Sequence, residues 1–351
     1  MLEQLDGAAD AVPVVEKVLQ QLEKPFYIAG HELMISGSMG IALYPSDGTD
    51  ITTLLKNADS AMYTAKKERG NFHFYDPSLA AQAAERFQLE QDLRNAVERG
   101  ELYVLYQPQI DLQTRRIIGV EALLRWRHPT HGDIAPAHFI PVAEETGMVQ
   151  SLGGWVLREA MRQSKRWQSD ALSSIRMSVN ISARQVLKED LADVISGMLA
   201  ETGLQPSQIE LELTETTLME LSEASRETLE RLRAMGVHLA VDDFGTGYSS
   251  LSYLKDLPVK TLKIDRAFVE GLPDDPDSIA ICKAVISMGH SLGMQVIAEG
   301  VETQAQLDAL SAAGCDIAQG FFISRPIPAE AITRLHGSRS GRMAAARPHS
   351  R

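Results

Sequence analysis

From residue 102 to about residue 335 the chain alternates apolar runs of strand length with amphipathic stretches of helix length, and few folds accept that order. Residues 103–110 and 117–126 read as strands joined by a polar turn over 113–116, which predicts a hairpin. A helix follows over 150–168. Strand–helix pairs then recur: strand 176–181 with helix 183–199, 209–213 with 222–235, and 238–241 with a short helix at 249–255. The series continues as 261–264 with 278–292, 295–298 with 303–313, and 317–321 with 329–335. About seven such units, each about 25–35 residues long, predict a (β/α)8 TIM-like barrel whose opening hairpin makes one strand antiparallel. A doubly wound open sheet is the competing architecture. It usually carries a Gly-rich first βα turn, which is absent here.

The flanks read differently. Residues 1–77 form an incomplete small α/β segment: a helix over 14–22, two strands within 31–44 turned by Gly37 and Gly40, a helix over 51–67 and a strand at 72–75. Residues 78–100 form a linking or barrel-closing helix with Leu89, Leu93 and Val97 on one face. The barrel is assigned to 101–336. The basic stretch 337–351 is expected to be disordered.

Charge and composition narrow the chemistry. The 351 residues carry a net charge of −13, which argues against nucleic-acid or anionic-membrane binding over the whole surface. A small phosphorylated ligand remains open, because bound cations invert the local sign. Two cysteines without C-x-x-C spacing exclude a disulfide framework and a thiolate zinc site, and fit a reducing cytosol. No apolar run approaches the roughly 20 residues of a bilayer span. The first ten residues, with Glu3, Asp6 and Asp10, do not resemble a signal peptide. A membrane-anchored parent protein stays possible.

The predicted strand ends share one chemistry. They carry Glu121, Asn180, Glu212 with Glu215, Asp242 with Asp243, Lys263 with Asp265, Glu299 with Glu302, and Gln319. One strand-end acid is commonly a helix cap or a surface charge. In a barrel, however, the C-terminal strand ends converge on a single face. Converging carboxylates repel unless neutralised, and all-oxygen ligands select hard cations such as Mg²⁺ or Mn²⁺. More acids than one ion needs predict two ions sharing a carboxylate, roughly 3.5–4 Å apart, as in metal-assisted phosphate-ester hydrolysis. Lys263 would hold the attacking water or the developing negative charge. In the run V-D-D-F-G-T-G-Y-S-S (241–250), strand alternation must relax for Asp242 and Asp243 to reach one cation pair.

Several motifs resemble the EAL family of cyclic di-GMP phosphodiesterases. They are Y-Q-P at 106–108, G-V-E-A-L-L-R-W at 119–126, S-V-N-I-S at 178–182, E-L-T-E at 212–215, D-D-F-G-T-G-Y-S-S-L at 242–251, L-K-I-D at 262–265, A-E-G-V-E at 298–302 and Q-G-F at 319–321. The resemblance implies hydrolysis of cyclic di-GMP to linear pGpG. It implies that Glu121, Asn180, Glu212 and Asp242 bind a first metal, and that Asp242, Asp243 and Glu299 bind a second. Glu299 is also implied as general base, and Lys263 as the residue that orients the water. Gln107, Leu123, Arg125 and Gln319 would contact substrate, with Glu215 and Glu302 behind the ligands and Glu215 anchoring the loop after Asp243. A homodimer through the barrel is implied as well. Phe321 stands where the family often has tyrosine. Two other readings remain: a non-catalytic cyclic di-GMP receptor, and a barrel metallohydrolase for another phosphodiester. S-G-S-M-G-I-A-L-Y-P-S-D-G at 36–48 and N-A-D-S-A-M-Y-T-A-K at 57–66 resemble the C-terminal half of a GGDEF diguanylate cyclase, without its signature loop. That segment is expected to be catalytically empty.

Overall fold

The computed structural model describes residues 7–22, 24–28, 31–33, 35–67, 71–168, 172–187, 191–219, 221–245, 254–255 and 257–337. Its contacts divide the chain into two compact units, Met1–Asp92 and Leu93–Arg351. The helix Pro77–Ala96 runs through the division.

The first unit holds a helix Val12–Leu22, strands β1 (Phe26–Ile28) and β2 (His31–Leu33) as an antiparallel pair, and β3 (Met39–Ile41) parallel to β4 (Phe72–Phe74). The helix Ile51–Lys67 connects β3 to β4 and buries Ala61 and Ala65. The two strands expected within 31–44 exist but do not form a hairpin, since each pairs elsewhere. Gly40 lies inside β3 and not in a turn. A side chain there would strike the backbone of the Ile51–Lys67 helix, with Ala58 O 1.9 Å from an added Cβ.

The second unit is a closed barrel. Its hydrogen-bonded ring runs β5 (Leu102–Asp111), β13 (Ile317–Gln319), β12 (Gln295–Ala298), β11 (Thr261–Ile264), β10 (His238–Phe244), β9 (Ile209–Thr214), β8 (Arg176–Asn180) and β6 (Ile117–His128), and closes through β5–β6. β5 is antiparallel to both neighbours, and the other contacts around the ring are parallel. The expected architecture and its one antiparallel strand are therefore present. A short β7 (Gly132–Ile134) extends β6 outside the ring. The strand interiors are nearly continuous buried aliphatics, as a sheet covered by helices requires; Val179, Leu211, Leu239, Leu262 and Val296 are all buried.

Local differences have identifiable causes. The helix Pro136–Thr146 has no counterpart in the sequence reading, and it holds Pro141 in its interior. It is nonetheless bounded by Pro136 at its first turn and by a left-handed Gly147 (φ 78°) at its end. The single helix expected over 183–199 is two, Ala183–Val186 and Leu191–Thr202. The first opens on a capping box in which Ser182 and Gln185 bond reciprocally. Most of the helix expected at 249–255, and the tail after residue 337, lie outside the described residues.

Candidate active site

Parallel strands point their C-terminal ends to one face of the barrel, and the expected acids gather there around one side chain. Lys263, on β11, is buried in the barrel interior. Its Nζ lies 2.8 Å from Glu212 Oε2, 3.0 Å from Asp242 Oδ1, 2.5 Å from Glu299 Oε1 and 4.0 Å from Glu121 Oε2. Burial alone would push the Lys263 pKa down, but the four carboxylates raise it well above the usual lysine range. The ammonium is therefore held charged.

The carboxylates are under opposite pressure. Burial first, and then the neighbouring acids, push Glu212 well above the ordinary glutamate range against the pull of Lys263. The same causes raise Glu299 to about 8. Asp243 is raised to about 6 by burial, by Asp242 and by Asp265. One ammonium does not neutralise this many acids.

Asp242 and Asp243 reach a common point through a local break in β10. The β10–β11 register shifts between Val241 and Phe244, and Asp243 adopts a positive φ of 54°. In regular pleat the two side chains would face opposite ways. The bulge and the left-handed residue turn them toward one another, and aspartate tolerates that conformation better than most residues. Ligand oxygens of Asp242, Asp243 and Glu299 then lie within 4.8 Å of one another. Strand β10 thus continues past the expected end at residue 241, and the alternation relaxes inside it.

The remaining expected residues fall into two groups. On β6, Glu121, Leu123 and Arg125 share one face by alternation. Glu121 is tied by Asn180 Nδ2 to its Oε1 (2.7 Å) and by Gln319 Nε2 to its Oε2 (2.5 Å). Gln107 Oε1 accepts from the same Gln319 amide at 3.2 Å. Glu215 opens the helix Glu215–Met219, and its Oε2 accepts the Gly245 N–H at 2.8 Å. These side chains belong to the cluster or brace it. Leu123 and Arg125 stay outside the carboxylate contacts, with the Arg125 guanidinium bonding the Leu124 carbonyl. Glu302 is partly exposed and pairs with Arg266 at 3.2 Å.

Asp265 stands among the expected strand-end residues without a separate role, and Gln109 is not among the expected site residues. Asp265 caps the helix Arg266–Val269 through the Ala267 N–H and also bears on Asp243. Gln109, fully buried on β5, donates to Gln319 Oε1 at 3.0 Å. Its signal was the period-two spacing from Gln107 on a predicted strand.

The donor set suits a hard divalent cation. It is all oxygen and carboxylate-rich, Glu121, Glu212 and Asp242 are buried, and Glu212 Oε1 has no hydrogen-bond partner among the described residues.

Fold and site together define a (β/α)8 barrel with an acidic, cation-accepting mouth built around a buried lysine. Residues 90–326 match the EAL domain family, and residues 1–72 match the diguanylate cyclase GGDEF domain. The chain belongs to the EAL domain family. It is 46% identical over 325 residues to the bifunctional diguanylate cyclase/cyclic di-GMP phosphodiesterase MucR of Pseudomonas aeruginosa, covering 92% of this chain and 47% of that protein. It is 39% identical over 318 residues to the cyclic di-GMP phosphodiesterase NbdA of the same organism, covering 90% of this chain and 41% of that one. The chain thus spans less than half the length of these curated relatives. Among solved structures, the PaMucR phosphodiesterase in complex with c-di-GMP superposes with a TM-score of 0.67 at 47% identity, over 70% of this chain and 99% of that one.

Proposed function

We propose that the barrel hydrolyses cyclic di-GMP to linear pGpG with two divalent cations, Mg²⁺ or Mn²⁺. The observation that carries this reading is the pooling of Glu121, Glu212, Asp242 and Glu299 on the single Lys263 ammonium. The relatives named as cyclic di-GMP phosphodiesterases support the choice of substrate.

Glu121, Asn180, Glu212 and Asp242 would hold the first ion, and Asp242, Asp243 and Glu299 the second. When bound, the ions supply positive charge against the phosphoryl oxygens and lower the pKa of water. Lys263 Nζ, desolvated and fixed by its carboxylates, orients the attacking water and stabilises negative charge on the phosphoryl group. Glu299 takes a proton from that water. As the water oxygen bonds to phosphorus, one P–O bond of the ring opens, and the leaving ribose oxygen takes a proton from solvent. Arg125 contacts a phosphate through its planar fork, and Gln107, Gln319 and Leu123 bear on the substrate beside it.

The reading extends to the setting. The two free buried cysteines, Cys282 and Cys315, fit a reducing cytoplasm. No described helix is long and apolar enough to cross a membrane. A homodimer through the barrel is part of the proposal, and a fully active monomer in sedimentation would remove that part. The GGDEF-like segment contributes no cyclase chemistry, since the chain contains no G-G-D-E-F loop.

The test is direct. Protein incubated with cyclic di-GMP and either metal should release pGpG. A folded sample that yields none with either ion overturns the proposal, and binding without turnover would assign a receptor instead.

A further inference from the structure

We infer that Gln109 is a positioning residue: by donating to Gln319 it fixes which way the Gln319 amide faces, and so holds the Glu121 carboxylate in its cation-binding orientation.

The argument starts from register. On β5, Gln109 pairs with Gln319 of β13 on one side and with Gly119 of β6 on the other. Gln107, two residues earlier on the same face, pairs with Glu121. Four polar side chains thus meet across the two antiparallel seams of the barrel, and all four are buried.

Their polarity is dictated from one end. An ionised carboxylate only accepts, so Gln319 must turn its NH₂ toward Glu121. That NH₂ reaches Glu121 Oε2 and Gln107 Oε1, which uses both of its protons. Gln319 Oε1 then faces the other way and needs a donor, which Gln109 Nε2 provides at 3.0 Å. Rotating the Gln319 amide by half a turn would set its oxygen against the Glu121 carboxylate. Gln109 opposes that rotation as long as its own amide keeps its place, because its NH₂ would then face another NH₂.

Two further observations show that the arrangement is not incidental packing. Gln109 Oε1 is buried without a hydrogen-bond partner among the described residues, so the amide leaves its own carbonyl unsatisfied while its NH₂ serves Gln319. Gly119 supplies the space: a Cβ there would lie 2.5 Å from Gln109 Oε1. A side chain at 119 would displace the amide.

This inference rests on the cation-binding reading of Glu121. It is tested by Mn²⁺ titration in a calorimeter, without substrate, on the wild type and on Q109L, Q109M, Q319L and the double variant Q109L/Q319L. Thermal melting in EDTA reports the fold separately. Q109L and Q109M should melt close to wild type, since each removes the unsatisfied carbonyl of Gln109 and leaves that of Gln319 without its donor in exchange. They should bind Mn²⁺ about 10-fold or more weakly, the usual effect of losing a partner behind a ligand. In the Q319L background, Q109L should cost nothing further, because it acts only through Gln319. Wild-type affinity in Q109L or Q109M overturns the inference, and so does a Q109L loss that persists in full without Gln319. A wild type that binds no Mn²⁺ overturns the cation-binding reading itself, which is a distinguishable result.

Discussion

Glu210 and Glu212 are the same residue type, two positions apart on β9, both buried and both facing the barrel interior. Glu210 lies toward the N-terminal floor. Its Oε1 accepts from Ser178 Oγ at 2.9 Å, its Oε2 from Thr261 Oγ1 at 2.6 Å, and Arg176 balances its charge at 3.4 Å. Glu212 lies toward the mouth. One of its oxygens meets Lys263, the other has no described partner, and three more acids share that lysine. Both carboxylate oxygens of the floor glutamate accept hydrogen bonds, and one oxygen of the mouth glutamate has none among the described residues. A fully paired buried charge holds a fold together at little net gain. An under-paired cluster is tolerated where a ligand completes it, and this supports the proposed chemistry at the mouth.

The sharpest way to break this contrast is to neutralise each glutamate in turn. Glu212→Gln should lower cyclic di-GMP hydrolysis by more than about 10³-fold, since on the proposed mechanism it removes a ligand oxygen of the first cation. It should not lower the melting temperature in EDTA, because it relieves repulsion in the ion-free mouth. Wild-type protein should also gain melting temperature with Mn²⁺, by about 2.7 kcal/mol of stability at a hundred times the dissociation constant. Glu212→Gln should lose most of that gain. A variant that keeps both turnover and the Mn²⁺ response would refute the assignment of the mouth.

The floor should respond the opposite way. Glu210→Ala leaves the mostly buried Arg176 without its counter-charge and strands the Ser178 and Thr261 hydroxyls. It should cost about 3 kcal/mol in denaturant unfolding, near the lower end for breaking a buried pair. The Mn²⁺-induced rise in melting temperature should survive in whatever fraction folds. A loss of Mn²⁺ response without a loss of stability would mean that floor and mouth are not separate devices.

Much of this contrast was legible in the sequence, and its legibility ended where partners became remote. The barrel followed from the strand–helix alternation, because each unit repeats the same local pattern. Glu121, Glu212, Asp242, Lys263 and Glu299 could be singled out because strand ends in a barrel must converge. The floor could not be read: Glu210 meets Arg176 on the neighbouring strand and Thr261 two strands away, both far along the chain, and a buried glutamate inside an apolar run carries no sign of its partners. Gln109 was hidden for the same reason. The relaxed alternation at Asp242 and Asp243 was expected, but not its form, since a left-handed aspartate and a register break inside a strand look like ordinary strand in one dimension. The false hairpin within 31–44 shows the converse error, in which Gly40 signals a close helix and not a turn.

A smaller effect joins the mouth to the loop that follows it. Gly245 has a φ of 98°, its N–H is held by Glu215, and an added Cβ would lie 2.7 Å from the Phe268 ring. Gly245→Ala forces a left-handed alanine, at about 1–2 kcal/mol. We expect roughly a 10-fold lower turnover, as that strain reaches Asp243 two residues away, with Mn²⁺ affinity within about 3-fold of wild type. An unchanged rate would show that the loop entry does not act on the acids beside it.

The smallest expected effect tests the floor by pH. His238, at the start of β10, has its Nδ1 3.2 Å from the Arg176 guanidinium, which must donate to it, so the ring is neutral there. Burial, then the positive charges of Arg176 and Lys260, lower its pKa against a smaller opposing pull from Glu210. A histidine whose folded pKa lies below its unfolded value of about 6.5 binds its proton more readily when unfolded. Its stabilising share is therefore complete above about pH 6.5 and is lost as the pH falls through the lowered folded value. His238→Gln keeps an acceptor for Arg176 and cannot charge. Between pH 8 and pH 5.5 its melting temperature should fall less than that of wild type, in EDTA, with no change in the Mn²⁺ response at pH 8. Parallel pH profiles for the two proteins would show that the His238–Arg176 contact does not belong to the charge balance that distinguishes the floor from the mouth.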